Sequence, residues 1–240
     1  MIDRSLLTAC AAQVGVTLTA EAADRLDTYA SLLVSWNERM NLTAITDPYG
    51  IVVRHFTDSL TLLPLLPEGS VSLIDVGTGA GFPGVVLAAA RPGIRLTLLD
   101  SLQKRLTFLE ELCRTLEIPV TLVHARAEEG GRRPELRERF DVATARAVAA
   151  LPTLCEYCLP FVRTGGRFLA MKGPSYREEG DAAAAARLCG GELRDTQLLT
   201  LPHREGEPAE SRALLIFDKI APTPTKYPRP TAKIAKSPLK

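Results

Sequence analysis

Histidine, tryptophan and cysteine are scarce in this 240-residue chain, at three, one and five residues. His55, His124 and His203 stand far apart and show none of the spacings that ligate a metal, so no metal site is expected. Five scattered cysteines in a chain this long read as reduced thiols of a cytosolic protein and exclude a disulfide scaffold. Cys155-x-x-Cys158 has no second pair and lies in an apolar stretch, so both thiols are expected to be buried on a helix. No apolar run approaches the length of a membrane span, and no signal-peptide core follows Met1-Ile2-Asp3-Arg4. There is no Gly-x-Ser-x-Gly elbow and no phosphate-loop Lys-Ser/Thr, which sets aside those two chemistries.

Net charge is also nearly absent, with 29 Lys+Arg against 28 Asp+Glu, but the balance is uneven. Residues 219–240 carry Lys219, Lys226, Arg229, Lys233, Lys236 and Lys240, five prolines and no acid, leaving residues 1–218 with five more acids than bases. Such a tail has little to bury and reads as extended or disordered on its own. It suits a polyanion, since each cation that meets a phosphate releases a counterion, or it merely solubilises the chain.

Three segments follow from composition and period. Residues 1–67 read as a helical N-terminal extension. From Thr19, a competent N-cap, to Met40 there is no Gly or Pro, and Leu26, Ala30, Leu33, Trp36 and Met40 share a face, which favours core packing for Trp36. Asp47-Pro48 marks a break, and a second helix over 50–63 follows. Residues 68–218 change period, with short apolar runs at 71–76, 94–99, 120–123, 142–145, 167–171, 193–199 and 213–217 and helical stretches between, including 177–188. This pattern predicts an α/β fold with a mostly parallel seven-stranded sheet and right-handed crossovers, the last two strands pairing antiparallel. Arg132, Arg133, Arg137 and Arg139 alternate with Glu135 and Glu138 and read as a solvated, self-paired surface.

The informative segment is Asp75-Val-Gly77-Thr-Gly79-Ala-Gly81-Phe-Pro-Gly84, between a strand and a helix. Glycines there let backbone approach a ligand, and the helix N-terminus adds oriented N–H groups. Gly79-x-Gly81-x-x-Gly84 fits a dinucleotide loop, with Asp100 at the next strand end for the ribose. Asp75-x-Gly77-x-Gly79-x-Gly81 equally fits the loop of S-adenosylmethionine (AdoMet) methyltransferases. Asp75 would repel a pyrophosphate but suit the methionyl ammonium, and the strand ends too early for Gly79 to be the first dinucleotide glycine. AdoMet is therefore favoured over NAD.

Taken with the rest of the chain, this loop resembles that of the bacterial 16S rRNA guanine-N7 methyltransferase G family, formerly the glucose-inhibited division protein B family. The matching residues are Trp36-Asn37 with Asn41-Leu42-Thr43, Arg54-His55 with Asp58-Ser59-Leu60, the glycine loop, Leu99-Asp-Ser101 with Lys104-Arg105, Arg126-Ala-Glu128, Asp141 with Arg146-Ala147, Met171-Lys-Gly173 and Tyr227-Pro-Arg229. Pro230, Ala232 and Ile234 depart from the family's tail pattern. The resemblance implies a class I (Rossmann-like) methyltransferase of the cytoplasm, acting on 16S rRNA within the small ribosomal subunit or its assembly intermediate, at the 527-type guanine of the decoding-region loop. It implies that Gly77 and Phe82 line the AdoMet site, Asp100 and Ser101 face the ribose, Ala127 and Glu128 sit against the adenine, and Arg146 closes the site; Asp75, Gly79 and Gly81 complete the cofactor loop.

Guanine N7 carries an unprotonated lone pair, so attack on a sulfonium methyl needs no general base, and catalysis is expected to be positioning. Arg146, Lys172 and His55 are expected in that role. Asn41, Arg54, Lys172, Lys226 and Arg229 are expected to hold RNA, with the guanine in a loop because A-form helices hide N7. A monomer is expected, as no heptad pattern is visible. A methyltransferase for a small molecule or protein, and a noncatalytic nucleotide-binding module, are the competing readings.

Overall fold

A computed structural model describes residues 1–239 apart from Gly180 and Glu207; Lys240, counted among the tail cations, lies outside the described residues. The chain opens with α1 (Arg4–Gln13), capped by Asp3, whose carboxylate accepts the backbone N–H groups of Ser5 and Leu6. Thr19 caps α2 (Ala20–Asn37) by accepting from Ala22 N. Trp36 packs against the core with its ring tilted on Phe108 at 5.6 Å. Asp47-Pro48 is a start as well as a break. The Asp47 carboxylate accepts from Gly50 N at 2.7 Å, and α3 (Pro48–Gly50) runs through a π-helical segment, Ile51–Thr57, into α4 (Asp58–Leu60). Wide π turns are rare and cluster at functional sites. This one carries Arg54 and His55.

Seven strands then form one sheet: β1 (Val71–Val76), β2 (Ile94–Asp100), β3 (Val120–His124), β4 (Phe140–Arg146), β5 (Val162–Lys172), β6 (Gly191–Thr200) and β7 (Ser211–Lys219). Their order is β3-β2-β1-β4-β5-β7-β6, parallel except that β7 runs antiparallel to both neighbours. The inner strands are apolar on both faces because helices cover both. On one side lie α1, α2, the 48–60 segment, α5 (Gly84–Ala90) and α6 (Gln103–Thr115), sharing a core with Leu26, Phe56, Val85 and Phe108. The other core holds α8 (Leu151–Cys158), α9 (Ala182–Leu188) and residues Phe161, Phe168 and Phe217. Cys155 and Cys158 are buried there as free thiols, and the described residues contain no metal-binding cluster. Pro174–Glu179 forms a 3-10 turn, so the helix expected over 177–188 begins only at Ala182, capped by Asp181. Because strand order reverses between β1 and β4, a crevice opens at their carboxyl ends, where open α/β sheets bind ligands.

The tail, expected to be extended or disordered on its own, is docked on the body and buries more than its composition implied. It folds against α7 (Ala127–Gly130) and α8 and ends in α10 (Thr231–Lys236). Tyr227, Ile234 and Leu239 are buried. Lys219 is also buried, its Nζ donating to Glu138 Oε1, the Leu159 and Val162 carbonyls and Thr223 Oγ1. Arg137 donates to the carbonyls of Thr223, Pro224 and Tyr227, so this segment is not the self-paired surface its alternation implied. Proline-rich backbone offers carbonyls without matching N–H donors, and a guanidinium satisfies several of them at once.

Candidate active site at the carboxyl edge of the sheet

Gly77 turns the chain out of β1 with φ +70°, and a Cβ there would lie 2.7 Å from Val148 Cγ2, so only glycine fits. The Gly77 and Thr78 N–H groups donate to the Leu99 carbonyl at 2.8 and 3.1 Å, tying the turn to the end of β2. Asp100 continues that link. Its Oδ2 accepts Gly79 N at 3.0 Å and pairs with Arg105 Nη1 at 3.3 Å, and its Oδ1 accepts Leu102 N at 2.9 Å. A cleft of about 310 Å³ opens beside these residues, lined by Gly77, Asp100, Ser101, Ala127, Glu128 and Tyr157, among others.

Asp75 departs from its expected place. It is fully buried behind the loop, where Oδ2 accepts from Thr78 Oγ1 at 2.8 Å and Gly84 N at 3.0 Å. Burial pushes its carboxyl up to about 6 against the pull of those hydrogen bonds. It therefore shapes the loop from within instead of facing an ammonium. Gly81 and Phe82 are buried too, whereas Gly79 is half-buried with room where a Cβ would stand. Gly81 has φ +98° and leaves room for the Tyr29 hydroxyl, which would lie 2.7 Å from a Cβ and donates to the Ala80 carbonyl. Phe82 is buried between Tyr29, stacked at 5.3 Å, and His55, stacked at 4.3 Å.

A second cleft, of about 670 Å³, adjoins the first at Ala147 and is lined by Arg54, His55, Asp58, Arg146, Lys172 and Arg212, among others. Ala147 itself has φ +57°, a left-handed conformation that costs a non-glycine residue about 1 kcal/mol and places Arg146 and Val148 towards different clefts. The Arg146 guanidinium lies 4.9 Å over the Phe82 ring and pairs with Asp58 Oδ2 at 3.0 Å. Arg212 Nε faces Asp58 Oδ1 at 3.3 Å and its Nη2 pairs with Glu210 at 2.9 Å; Glu210 also receives Arg54 Nε at 2.5 Å. Lys172 Nζ donates to the Ala149 carbonyl at 3.0 Å. His55 Nε2 meets Thr43 Oγ1 at 2.8 Å, and burial, with Arg146 beside it, pushes the imidazole down to about 3. His55 is thus a neutral ring that packs on Phe82 and holds Thr43.

The structure accordingly brings Arg54, His55, Arg146 and Lys172 together and leaves the remaining expected RNA residues elsewhere. Asn41 is exposed, and it is Asn37 whose side chain accepts from Leu42 N and Thr43 N. Lys226 is exposed with its ammonium 5.1 Å over the Tyr227 ring. Arg229 is a correction. Its guanidinium pairs with Glu156, which is fully buried, at 2.7 Å, and its backbone N–H donates to the same carboxylate. Binding a phosphate there would strand a buried charge. Asp58, Glu210 and Arg212 were missed as site residues. Asp58 stands four residues after Arg54 on one helical side, a legible signal; Glu210 and Arg212 reach the cleft only because β7 inserts between β5 and β6.

A glycine turn at the reversal point of a seven-stranded sheet, an acid closing β2 and an antiparallel β7 set between β5 and β6 together make the architecture of a Rossmann-like methyltransferase. Structural neighbours agree: TYW2 of M. jannaschii, solved in complex with AdoMet, superposes with a TM-score of 0.50 over 66% of this chain and 73% of its own, at 14% identity. At that identity the likeness speaks for the fold alone. The sequence profile of rRNA small subunit methyltransferase G matches residues 22–203. Ribosomal RNA small subunit methyltransferase G of Symbiobacterium thermophilum is 49% identical over 244 residues, covering 98% of each chain. Its counterpart from Acetivibrio thermocellus is 44% identical over 237 residues, covering 98% of this chain and 96% of its own. The chain belongs to this methyltransferase G family, and its cofactor is AdoMet. The lining of the first cleft fits a nucleoside cofactor: Gly77 leaves room at the wall, and Asp100 and Glu128 place carboxylates along it.

Proposed function

We propose that the protein transfers a methyl group from AdoMet to N7 of a guanine in 16S rRNA, the 527-type position of the decoding-region loop. The observation that carries this reading is the junction of the two clefts at Ala147, with a cationic wall of Arg54, Arg146, Lys172 and Arg212 on the acceptor side. AdoMet, when bound, supplies an electrophilic methyl on a sulfonium. Gly77, Asp100, Ser101, Ala127 and Glu128 hold it, and Arg146 lies where both clefts meet. Lys172, Arg54 and Arg212 bind phosphate, and the His55–Phe82 stack gives the acceptor cleft a rigid apolar floor.

The side chains suit an acceptor that has no proton to lose. Asp58 lies between Arg146 and Arg212, and His55 is shifted far towards its neutral form with one ring nitrogen spent on Thr43. The two carboxylates that line this cleft, Asp58 and Glu210, are both engaged by arginines, which suits N7 and disfavours an exocyclic amine or a hydroxyl. The reading places the enzyme in the cytoplasm, on the small subunit or its assembly intermediate, as a monomer.

The test is methyl transfer from labelled AdoMet to small subunits lacking the modification, followed by borohydride–aniline cleavage at N7-methylguanine. One new cleavage in the decoding-region loop is expected. Label without cleavage would discard N7, and cleavage elsewhere would discard the position.

A further inference from the structure

One anchor of the tail touches a residue that lines the cofactor cleft. Thr231, at the first position of α10, donates its hydroxyl to Glu128 Oε1, and Glu128 lines the cleft beside Ala127 and Tyr157. Glu128 Oε2 makes no hydrogen bond with the described residues. The strap that delivers Thr231 is firmly held. Arg229, two residues earlier, is locked on buried Glu156 of α8, the helix that also carries Tyr157. Pro228 packs on Gly131, just beyond α7, where a Cβ would lie 3.2 Å from Pro228 Cγ. One wall of the cleft is therefore built in two layers, α7 and α8 in front and the tail behind.

A carboxylate on a short helix has rotameric freedom, and fixing one oxygen from behind aims the other. We propose that Thr231 is a positioning residue for the cofactor: it holds Glu128 so that the free carboxylate oxygen accepts a hydrogen bond from the adenine amine of AdoMet. The basic tail then serves cofactor selection, separately from any contact it makes with RNA. This inference rests on the assignment of the first cleft to AdoMet.

The chemistry gives a test that needs no turnover. S-adenosylhomocysteine presents an amine donor at C6 of the purine, whereas S-inosylhomocysteine presents a carbonyl acceptor that a carboxylate repels. Calorimetry on the full chain should show the adenosyl ligand favoured about tenfold or more. Thr231→Val keeps shape and removes the hydroxyl. It should weaken the adenosyl ligand several-fold while changing the inosyl ligand little, and Thr231→Ser should restore the preference. In a Glu128→Gln background, Thr231→Val should have no further effect on discrimination. Equal weakening of both ligands by Thr231→Val would make Thr231 a purely structural support and overturn the proposal, as would unchanged discrimination. Asp100→Asn should weaken both ligands alike. If the wild-type protein bound neither ligand, or Asp100→Asn were silent, the cleft assignment itself would fall.

Discussion

Asp75 and His55 are buried ionisable groups displaced in opposite directions, and their effects on stability oppose each other. Asp75 is raised from 3.8 to about 6, so between those values the folded protein keeps a proton that the unfolded chain releases, and stability falls as pH rises. His55 is lowered from 6.5 to about 3, so over that interval the unfolded chain holds the extra proton and stability rises with pH. From pH 4 to 6 the two slopes nearly cancel. Asp75→Asn, which keeps an oxygen for Thr78 and Gly84, should therefore steepen the rise of stability with pH by up to about 1.4 kcal/mol per unit relative to wild type. His55→Gln should shift the slope equally in the other direction. Urea denaturation at half-unit pH steps reads both, and parallel curves for wild type and variants would refute the pairing. Gly77→Ala tests the loop more bluntly. The positive φ and the approach to Val148 predict a loss of about 1–2 kcal/mol and AdoMet binding weakened tenfold or more, read by calorimetry. The positions of the glycines and Asp100 at strand ends were legible from spacing, whereas Arg146 was named only through the family resemblance. Asp75 misled because a sequence does not say whether a strand-end carboxylate turns towards a ligand or back under its own loop.

At the scale of elements, legibility followed the range of the interactions. The strand run 71–76 and the capping of α2 by Thr19 are set by local pattern, and the structure agrees with both. The antiparallel pairing of β6 with β7 followed from a turn-rich connection, most of which the structure describes. The π-helical turn carrying Arg54 and His55 left no local mark. The tail was misread because its partners, Glu128, Glu138, Arg137 and Glu156, lie about 70 to 100 residues away and each looks like ordinary surface charge. The Arg229–Glu156 pair makes that long-range argument testable. Arg229→Met leaves a fully buried carboxylate without its partner, which should cost about 3–5 kcal/mol in chemical denaturation. Adding Glu156→Leu should recover most of it, because replacing a whole buried pair by apolar residues is close to neutral. A single variant as stable as wild type would mean that the strap contributes little to the fold.

For the whole molecule, the charge distribution decides how RNA is met. Residues 1–218 carry five more acids than bases, so the body generates no general attraction for a polyanion. On the proposed reading, affinity comes from local groups, for which the candidates are the cleft cations Arg54, Lys172 and Arg212 and the exposed tail lysines Lys226, Lys233 and Lys236. None of those three lysines lines either cleft, so on the proposed reading the tail lysines and the cleft cations would meet rRNA at different places. The two groups should separate in a salt titration of rRNA binding. Replacing the three tail lysines by glutamine should reduce the slope of log K against log salt by about 0.7–0.9 for each phosphate no longer neutralised, with AdoMet affinity unchanged. Lys172→Met should change the slope by no more than a single phosphate's share yet lower kcat/KM about 10- to 100-fold if the phosphate it binds is the one that positions the target nucleotide in the acceptor cleft. A triple variant with an unaltered slope would confine the rRNA footprint to the acceptor cleft, leaving the tail's lysines to solubility and its threonine to the cofactor.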